Sequence, residues 1–295
     1  MSPMRVAIFG RNFHASSREN VAILFSRLQE IDAKIWIFRP FYDYLTSEAG
    51  LRPATEGFFN DYTDIPQDAR FLFSIGGDGT FLETVSLVRD SGIPVVGINT
   101  GRLGFLSYIS QDSLGESLDS LFHGRYEVEE RVLLKAEISG MAIEGIDVAL
   151  NEIRIYKKDS SLIKVHVKIN DEFLSTYWAD GLILSTPTGS TAYNLSVGGP
   201  IVVPESNNFI LSPIAPHNLT VRPLVLPDSV VIDMSVDTRE ESYMMAIDSR
   251  SFVMPADAVI TMRRAGFTLK MVRIENNSFY STLRNKLMWG ADKRN

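Results

Sequence analysis

The sequence contains no cysteine and only four histidines among its 295 residues. The lack of cysteine excludes disulfide frameworks, thiolate zinc sites and cysteine nucleophiles. The four histidines are scattered along the chain and show no HExxH-like spacing, which argues against a metal site built on histidine.

Long apolar runs and positive charge are also missing. No apolar run approaches the roughly 20 residues that a membrane-spanning helix needs. The opening sequence MSPMRVAIFG lacks the hydrophobic region of a signal peptide and predicts a first strand, so we expect a cytoplasmic protein with no membrane partner. The formal net charge of −7 leaves no broad basic surface for nucleic acid, so we expect no nucleic-acid partner. Phosphate binding would then depend on local backbone amides and a few basic side chains.

Strand and helix patterns alternate over residues 1–125. Ser16 and Glu19 have the spacing of a capping box at the start of a helix, and residues 40–68 predict mainly loop because they are rich in Pro, Tyr, Asp and Gly. This rhythm predicts a Rossmann-like α/β domain with a parallel sheet. The predicted strands of this region are residues 6–9, 33–38, 71–75 and 93–98.

Helical periodicity nearly disappears over residues 126–274. Ile163, Val165 and Val167 alternate with polar residues, and Asn170-Asp171 predicts a hairpin turn after them. Many short strands separated by turn signals predict a mostly β, β-sandwich-like domain. The predicted strands of this region are residues 132–138, 148–156, 163–169, 182–185, 230–236, 243–247, 259–263 and 269–274, and residues 278–288 predict a last helix.

A glycine-rich segment, GGDGT at residues 76–80, separates a buried strand from a helix. A helix N-terminus attracts anions, and glycines let the backbone approach a phosphate closely. The carboxylate of Asp78 would repel such an anion, so we interpret Asp78 as a proton acceptor for an attacking hydroxyl or as a ligand of a divalent ion. Without Asp78, an ordinary tight turn would explain the glycines equally well. The sequence has no P-loop signature and no protein-kinase signature.

Two further segments have polar residues at the ends of predicted strands. Residues 97–106 (GINTGRLGFL) place three glycines, an asparagine and Arg102 where ligands bind in open α/β sheets, although a surface loop would also account for them. Asn151 and Glu152 interrupt an apolar strand, and an amide beside a carboxylate suits the recognition of sugar hydroxyls. Taken alone, this pair is more typical of polar residues at a strand edge.

The fourth segment, residues 180–200, reads DGLILSTPTGSTAYNLSVGGP. Its hydroxyl groups and free amides form a dense set of hydrogen-bond donors and acceptors, and Tyr193 offers a flat ring for a base. A solvated linker is the alternative, but the apolar strand before the loop argues against it.

Together these four segments resemble the NAD kinase family. GGDGT, NTGRLGFL, NE and the long TPTGSTAY segment occur in the family's order and approximate spacing, and the resemblance extends to Asp248-Ser249 and to the tail SFYSTLRNKLMW. Lipid kinases of the diacylglycerol type and phosphofructokinases have motifs like GGDGT. TPTGSTAY downstream of NE is much more specific.

The resemblance implies an α/β domain over residues 1–125, a β-rich NAD-binding domain over residues 126–274, and a tail, residues 275–295, that packs back on the first domain. It implies transfer of the γ-phosphoryl group of ATP to the 2′-hydroxyl of the adenosine ribose of NAD, which gives NADP. Mg²⁺ would be held largely by the nucleotide, with no protein ligand assigned. The assembly would be a homodimer or a homotetramer.

The resemblance also implies roles for single residues. Asp78 would be the general base, and Trp178 and Arg250 depart from the family's commoner pattern and are candidate determinants of the preference between NAD and NADH. The implied NAD-binding residues are Asp78, Gly79, Asn151, Glu152, Asp180, Thr191, Ala192, Tyr193, Asn194, Leu195 and Ser196. The implied phosphate-binding residues are Gly76, Gly77, Thr80 and Arg102.

Two other functions compete with this prediction. One is a kinase of the same broad fold that acts on a lipid or a sugar phosphate, and the loop of residues 186–196, which suits a dinucleotide, argues against it. The other is a non-catalytic NADP-binding sensor. The presence of Asp78 argues against a sensor, because a pure binding protein gains nothing from a carboxylate beside phosphates.

Overall fold

A computed structural model of the protein describes residues 3–101, 104–274 and 278–288. The chain forms two compact units, residues 1–130 with 269–295 and residues 131–268. The strands are β1 Arg5–Gly10, β2 Lys34–Phe38, β3 Gly57–Phe59, β4 Phe71–Ile75, β5 Val95–Ile98, β6 Tyr126–Ile138, β7 Val148–Ala149, β8 Glu152–Tyr156, β9 Ile163–Ile169, β10 Glu172–Ala179, β11 Gly181–Ser185, β12 Asn208–Ile214, β13 Leu224–Pro227, β14 Ile232–Asp237, β15 Ser242–Ile247, β16 Arg250–Pro255 and β17 Val259–Ile274. The α-helices are α1 Arg18–Glu30, α2 Arg39–Ser47, α3 Asp78–Val88, α4 Leu114–Phe122, α5 Tyr193–Ser196 and α6 Phe279–Leu287, and short 3₁₀ helices cover Ala15–Ser17, Tyr62–Asp64 and Thr188–Thr191.

The first unit is built on a parallel sheet. Its strands follow the order β3-β2-β1-β4-β5, every neighbouring pair is parallel, and the last part of β17 pairs with β5 through Met271 and Val95. All five residues of β4 are buried, which explains its uninterrupted apolar sequence. The predicted α/β domain with a parallel sheet is confirmed.

Helix α1 packs through a single apolar stripe, in which Val21, Leu24 and Leu28 repeat at helical spacing and are almost fully buried. The predicted capping box of Ser16 and Glu19 is wrong. A 3₁₀ turn precedes the helix, Ser17 becomes the N-cap residue, and no side chain caps it. The hydroxyl of Ser17 instead donates a hydrogen bond to the carbonyl of Thr100.

Residues 40–68 contain more structure than the sequence predicted. Helix α2 has nine residues, and eight of them lie within this segment. Proline in the first turn of a helix does not remove a hydrogen bond of the helix, because a backbone N–H at that position has no partner within the helix. Phe41 and Leu45 lie one turn apart and are both buried, so packing stabilises a helix whose composition favours a loop.

The second unit is mostly β. One antiparallel sheet has the order β13-β12-β11-β8-β15-β16, and a second places β9 between β10 and β14, with β14 also paired to the first part of β17. Ile163, Val165 and Val167 are buried in its core, as their alternation predicted. Asn170 and Asp171 form the predicted hairpin turn, with φ angles of 50° and 66°. The predicted β-rich domain is confirmed.

The predicted strand over residues 148–156 is divided. Strand β7 ends at Ala149 and β8 begins at Glu152, so Leu150 and Asn151 lie in a break between them. In a regular strand, the neighbouring side chains of Asn151 and Glu152 would point to opposite faces of the sheet. The break interrupts this alternation at Asn151. Among the described residues, no helix combines the length and the apolar character that a membrane span requires.

Candidate functional site

The GGDGT turn lies at the carboxyl end of the parallel sheet. Strand β4 ends at Ile75, and helix α3 begins at Asp78 after Gly77 as its N-cap residue. Strand order reverses between β1 and β4, because β1 continues outward through β2 and β3 whereas β4 continues through β5. Ligands of open α/β sheets bind at such a reversal point, beyond the carboxyl ends of the strands.

The glycines of the turn have two different roles. A Cβ atom at Gly76 would lie 2.3 Å from the Oγ1 atom of Thr80, so only glycine fits where the turn folds onto the helix. Cβ atoms at Gly77 and Gly79 would meet no atom within 4 Å. The two glycines therefore leave open space around the first turn of α3, where helix N–H groups without partners favour an anion.

Backbone amides hold the carboxylate of Asp78 in place. Its Oδ2 accepts a hydrogen bond from the amide of Phe105 at 2.9 Å, and its Oδ1 accepts from those of Leu106 at 3.0 Å and Ser107 at 3.4 Å. A Cβ atom at Gly104 would lie 1.8 Å from Oδ1, so the glycine makes this close approach possible. Asp78 is thus oriented by the same NTGRLGFL segment that the sequence singled out.

Within residues 3–101, 104–274 and 278–288, two basic side chains, Arg11 and Lys286, contact carboxylates of helix α3. Arg102, predicted to bind phosphate, lies outside the described residues. Arg11, which follows β1, forms an ion pair with Glu83 on α3. The Nζ atom of Lys286, on α6, lies 3.5 Å from Oδ2 of Asp78.

In the second unit, Asp248 organises the break that contains Asn151. Asp248 is partly buried, and its carboxylate accepts hydrogen bonds from the amides of Leu150 at 2.8 Å, Asn151 at 2.8 Å and Glu152 at 3.1 Å. The Thr186 hydroxyl donates to the carbonyl of Leu150 at 2.5 Å. A break in a strand leaves backbone N–H and C=O groups without their usual partners, and burying such groups unpaired costs free energy. The hydrogen bonds with Asp248 and Thr186 supply partners for these groups and so make the irregular conformation possible.

Glu152 is an unusual carboxyl group. Only 6% of the residue is exposed, and its Oε2 atom has no hydrogen-bond partner in the part of the chain that the structure describes. Burial, reinforced by the neighbouring charge of Asp248, raises the pKa of Glu152 to about 7, although Arg154 opposes the shift. Burial also raises the pKa of Asp248. A buried carboxyl with a free oxygen can bind a ligand hydroxyl in either protonation state.

The raised pKa of Glu152 predicts a pH-dependent stability. In the unfolded chain this carboxyl ionises near pH 4.5, whereas in the folded protein it keeps its proton until about pH 7. The folded state therefore binds more protons in this window, and the free energy of unfolding should fall as the pH rises through it. At about 1.4 kcal/mol per pKa unit, the loss should be about 3 kcal/mol.

Urea unfolding of the wild type and of Glu152→Gln at several pH values between 4.5 and 8 would measure this effect. The variant should lose a smaller part of its stability over that range. Glu172→Gln, which removes an exposed carboxyl on β10, should keep the wild-type slope. Equal slopes in the wild type and Glu152→Gln would contradict the assignment.

The loop of residues 186–196 is more regular than predicted. It forms a 3₁₀ turn, Thr188–Thr191, and the single-turn helix α5. A Cβ atom at Gly189 would lie 2.0 Å from the carbonyl oxygen of Asn151, so the turn packs directly on the break between β7 and β8. The amide of Thr186 also donates to that oxygen, at 2.9 Å. The structure therefore brings together two segments that are more than 30 residues apart in sequence.

Residues of this loop divide into internal and accessible groups. The side chain of Asn194 is buried and bonded to the carbonyls of Ser190 and Pro200 and to the hydroxyl of Ser212, so it stabilises the loop itself. Tyr193 is 37% exposed, and its ring centroid lies 5.3 Å from the guanidinium carbon of Arg154. The remaining predicted residues, which are partly or fully exposed, are Thr191, Ala192, Leu195 and Ser196.

Two predicted residues, Asp180 and Trp178, are not gathered with Asn151 and Glu152, whereas Arg250 lies beside the break that contains Asn151. Asp180 precedes β11, at the opposite end of that strand from Thr186, and forms an ion pair of 2.7 Å with Lys157. Trp178 is half exposed, with the Nζ atom of Lys164 5.0 Å from its ring centroid. Arg250 donates hydrogen bonds to the carbonyls of Ile146 and Val148. The proposed influence of Trp178 and Arg250 on the choice between NAD and NADH stays a prediction.

Sequence reasoning missed several groups of these two clusters. The amides of Phe105, Leu106 and Ser107 carry no side-chain signal. Asp248 was part of the family resemblance, but its role was not assigned. Its position in a two-residue turn between β15 and β16, with φ of 50°, is the signal that could have identified it. Lys286 belonged to the resembling tail and was not singled out.

Two family models match the sequence. The ATP-NAD kinase N-terminal domain matches residues 53–126, and the ATP-NAD kinase C-terminal domain matches residues 150–274. The curated NAD kinase of Bacteroides fragilis is 43% identical over 292 residues, which cover 99% of this chain and 100% of that protein. The chain belongs to the NAD kinase family. The NAD kinase of Flavobacterium psychrophilum is 40% identical over 295 residues, with 99% and 100% of the two chains covered.

Solved structures of the NAD kinase family show the same fold. Yeast NADH kinase complexed with NADH has a TM-score of 0.87 and 24% identity, and the match covers 98% of this chain and 89% of that one. An NAD kinase from Archaeoglobus fulgidus in complex with ATP has a TM-score of 0.74 and 25% identity, with 97% and 99% covered. The family predicted from the four segments is therefore confirmed.

Proposed function

We propose that this member of the NAD kinase family transfers the γ-phosphoryl group of ATP to the 2′-hydroxyl of the adenosine ribose of NAD, and that Asp78 is the general base. The observation that supports the proposal best is the position of Asp78. Asp78 lies in the GGDGT turn, at the reversal point of the parallel sheet, and its carboxylate is fixed by the backbone amides of Phe105, Leu106 and Ser107. A carboxylate held this firmly is suited to orient a hydroxyl as well as to accept its proton.

In the proposed reaction the ribose 2′-oxygen attacks the γ-phosphorus in line with the bond to the bridging oxygen. The new P–O bond forms as the bond to the bridging oxygen breaks, ADP leaves, and the hydroxyl proton passes to Asp78. The open turn around Gly77 and Gly79 offers helix amides to the phosphates. A general base contributes about 10²- to 10⁴-fold to such a reaction. Orientation of the hydroxyl contributes up to about 7–11 kcal/mol in favourable systems.

Mg²⁺ fits this site mainly as an ion held by the nucleotide. Among the described residues, no group of three or more His, Cys, Asp and Glu side chains could form a metal cage. The GGDGT turn contains a single carboxylate, that of Asp78, and one carboxylate is too few to hold a six-coordinate ion. Phosphate oxygens and water would therefore supply most of the ligands. The bound ion would neutralise charge on the phosphoryl group in transfer.

We propose that NAD is recognised by Asn151, Glu152 and the accessible residues of the loop around Tyr193. The amide of Asn151 and the buried carboxyl of Glu152 can donate to and accept from ribose hydroxyls. The ring of Tyr193 can stack on a base, with Arg154 behind it.

The direct test is a coupled assay that detects NADP formation from NAD and ATP by the purified protein. NADP should form only when NAD, ATP and Mg²⁺ are all present. Replacement of ATP by polyphosphate would then define the range of donors. The absence of NADP under all these conditions would overturn the proposal and would favour the NADP-binding sensor instead.

Replacing Tyr193 by alanine should weaken NAD binding more than it slows the chemical step. Stacking of a base on an aromatic ring is worth about 1–3 kcal/mol, which corresponds to a rise in the KM for NAD of roughly 5- to 150-fold. Steady-state kinetics would give KM and kcat separately, with Tyr156→Ala as a control that removes the other ring near Arg154. An unchanged KM for NAD would remove Tyr193 from the site.

A further inference from the structure

Among the described residues, the carboxylate of Asp78 has one side-chain partner, Lys286, in addition to its three amides. Lys286 places its ammonium group 3.5 Å from Oδ2 of Asp78, and the two side chains are 39% and 31% exposed. The same ammonium nitrogen lies 4.8 Å from the ring centroid of Phe105. Lys286 thus contacts both the carboxylate and the segment that orients it.

Helix α6 holds Lys286 in this position. Ser278 and Ser281 form a capping box that fixes the first turn of the helix. One residue after the cap, Phe279 packs on Phe105, with ring centroids 6.2 Å apart. The helix is therefore attached beside Asp78 at its start, and Lys286 reaches back to the carboxylate from its last turn.

The acceptor positions of Asp78 are all in use. A carboxylate offers about four lone-pair positions. Oδ1 accepts from the amides of Leu106 and Ser107, whereas Oδ2 accepts from the amide of Phe105 and from Lys286. A substrate hydroxyl that gives its proton to Asp78 needs one of these positions. The contact with Lys286 is the easiest to release, because 3.5 Å is at the limit of a hydrogen bond and the lysine side chain is flexible.

We propose that Lys286 is a phosphate-binding residue of the kinase reaction. The ammonium group covers Oδ2 of Asp78 in the free protein, moves off when the 2′-hydroxyl binds there, and then binds oxygens of the γ-phosphoryl group of ATP. It keeps its proton throughout, while the hydroxyl proton goes to Asp78 and ADP leaves. This inference rests on the proposed function, since it needs Asp78 to be the proton acceptor.

Distances support the phosphoryl group as the second partner of Lys286. A hydroxyl bonded to Oδ2 lies about 2.7 Å from it, and the phosphorus that it attacks lies about 3–3.5 Å beyond that hydroxyl. A lysine that reaches Oδ2 can therefore reach the oxygens on this phosphorus by a change of side-chain rotamers. Among the residues that the structure describes, Arg11 is a second basic side chain near the turn, and it is paired with Glu83.

The test compares Lys286→Met, Lys286→Arg and the control Arg284→Met, which removes a positive charge from the exposed face of the same helix. Loss of a charged hydrogen bond that forms with the donor should lower kcat/KM for ATP by about 10- to 100-fold in Lys286→Met. The KM for NAD should not rise, because Lys286 leaves Oδ2 when the 2′-hydroxyl binds there. Lys286→Arg should recover much of the loss, and Arg284→Met should behave as the wild type.

Calorimetry separates phosphate binding from a structural effect. A non-hydrolysable ATP analogue with Mg²⁺ should bind Lys286→Met more weakly, whereas ADP, which lacks the γ-phosphoryl group, should bind it as it binds the wild type. Equal loss for both nucleotides, or wild-type affinity for the analogue, would overturn the proposal. If Lys286→Met unfolds at a lower temperature, Lys286→Gln, which keeps the polar side chain, provides the same comparison.

The two proposals fail in different ways. If the wild type forms no NADP, or if Asp78→Asn is fully active, the proposed function fails. If Asp78→Asn is inactive while Lys286→Met keeps wild-type parameters for ATP, only the role of Lys286 fails.

Discussion

Replacing Asp78 by asparagine should lower kcat by about 10²- to 10⁴-fold, because the ribose hydroxyl then loses its proton acceptor. The side chain keeps its size, so NAD binding, which we attribute to residues of the second unit, should stay close to the wild-type value. Single-turnover assays would measure the chemical step, and calorimetry with NAD would measure binding.

The surroundings of Asp78 add a second consequence to this substitution. Asparagine has one acceptor oxygen, so its amide nitrogen must face either the amide of Phe105 or those of Leu106 and Ser107. A buried donor without an acceptor costs about 1–3 kcal/mol. We therefore expect Asp78→Asn to be less stable as well as inactive, and thermal unfolding should detect the difference.

A matched control removes a carboxylate of the same helix that has no proposed role as a base. It shows whether the loss of activity is specific to Asp78. Glu83 lies on the same helix, about one and a half turns after Asp78, and pairs with Arg11 at the surface. Glu83→Gln should keep kcat within a small factor of the wild type. An Asp78→Asn variant with wild-type turnover would refute the general-base assignment, whatever its stability.

The parts of the fold that follow local rules could be predicted from the sequence. The apolar run of β4 is continuous because both faces of the strand are buried. Apolar and polar residues alternate in β9 because only one of its faces is buried. The turn at Asn170-Asp171 was predictable because these residues tolerate a positive φ angle. In each case the residues that give the pattern are also those that fix the conformation.

Helix α2 and the start of α1 could not be predicted in this way. Phe41 and Leu45 stabilise α2 by packing into a core formed by other elements, and that packing outweighs a composition typical of loops. At the start of α1, Ser17 donates its hydroxyl to the carbonyl of Thr100, a residue 83 positions away. Local spacing contains no information about such a partner.

The candidate sites show the same division. GGDGT, Asn151-Glu152 and the TPTGSTAY loop could be identified because specific residue types at fixed spacing mark them. The contacts that hold these segments in place could not be identified from the sequence. Asp78 is held by amides 27 to 29 residues downstream, and Lys286 reaches it from 208 residues away. Asp248 binds amides 96 to 98 residues upstream. Which distant backbone groups meet a carboxylate depends on the tertiary fold.

Replacing Gly189 by alanine should cause the largest loss of NAD affinity among small substitutions in the second unit. The added Cβ would lie 2.0 Å from the carbonyl oxygen of Asn151 and 2.6 Å from the Oγ of Ser185, well inside any real contact. The loop and the break between β7 and β8 would have to separate. That movement displaces Asn151 and Glu152 from the segment that contains Tyr193, so the two groups of proposed NAD contacts can no longer bind one ligand together.

Overpacking of this kind costs typically about 1–3 kcal/mol of stability. The KM for NAD should rise by at least about tenfold, as expected when about 1.4 kcal/mol of binding free energy is lost, whereas the KM for ATP should change little. Gly266→Ala is the matched control, because a Cβ at Gly266, in the same unit, would meet no atom within 4 Å. Steady-state kinetics and thermal unfolding of both variants would provide the comparison. If Gly189→Ala keeps the wild-type KM for NAD while Gly266→Ala also behaves as the wild type, the loop and the break do not act together in binding NAD. The residues around Tyr193 would then have to be assigned to another role.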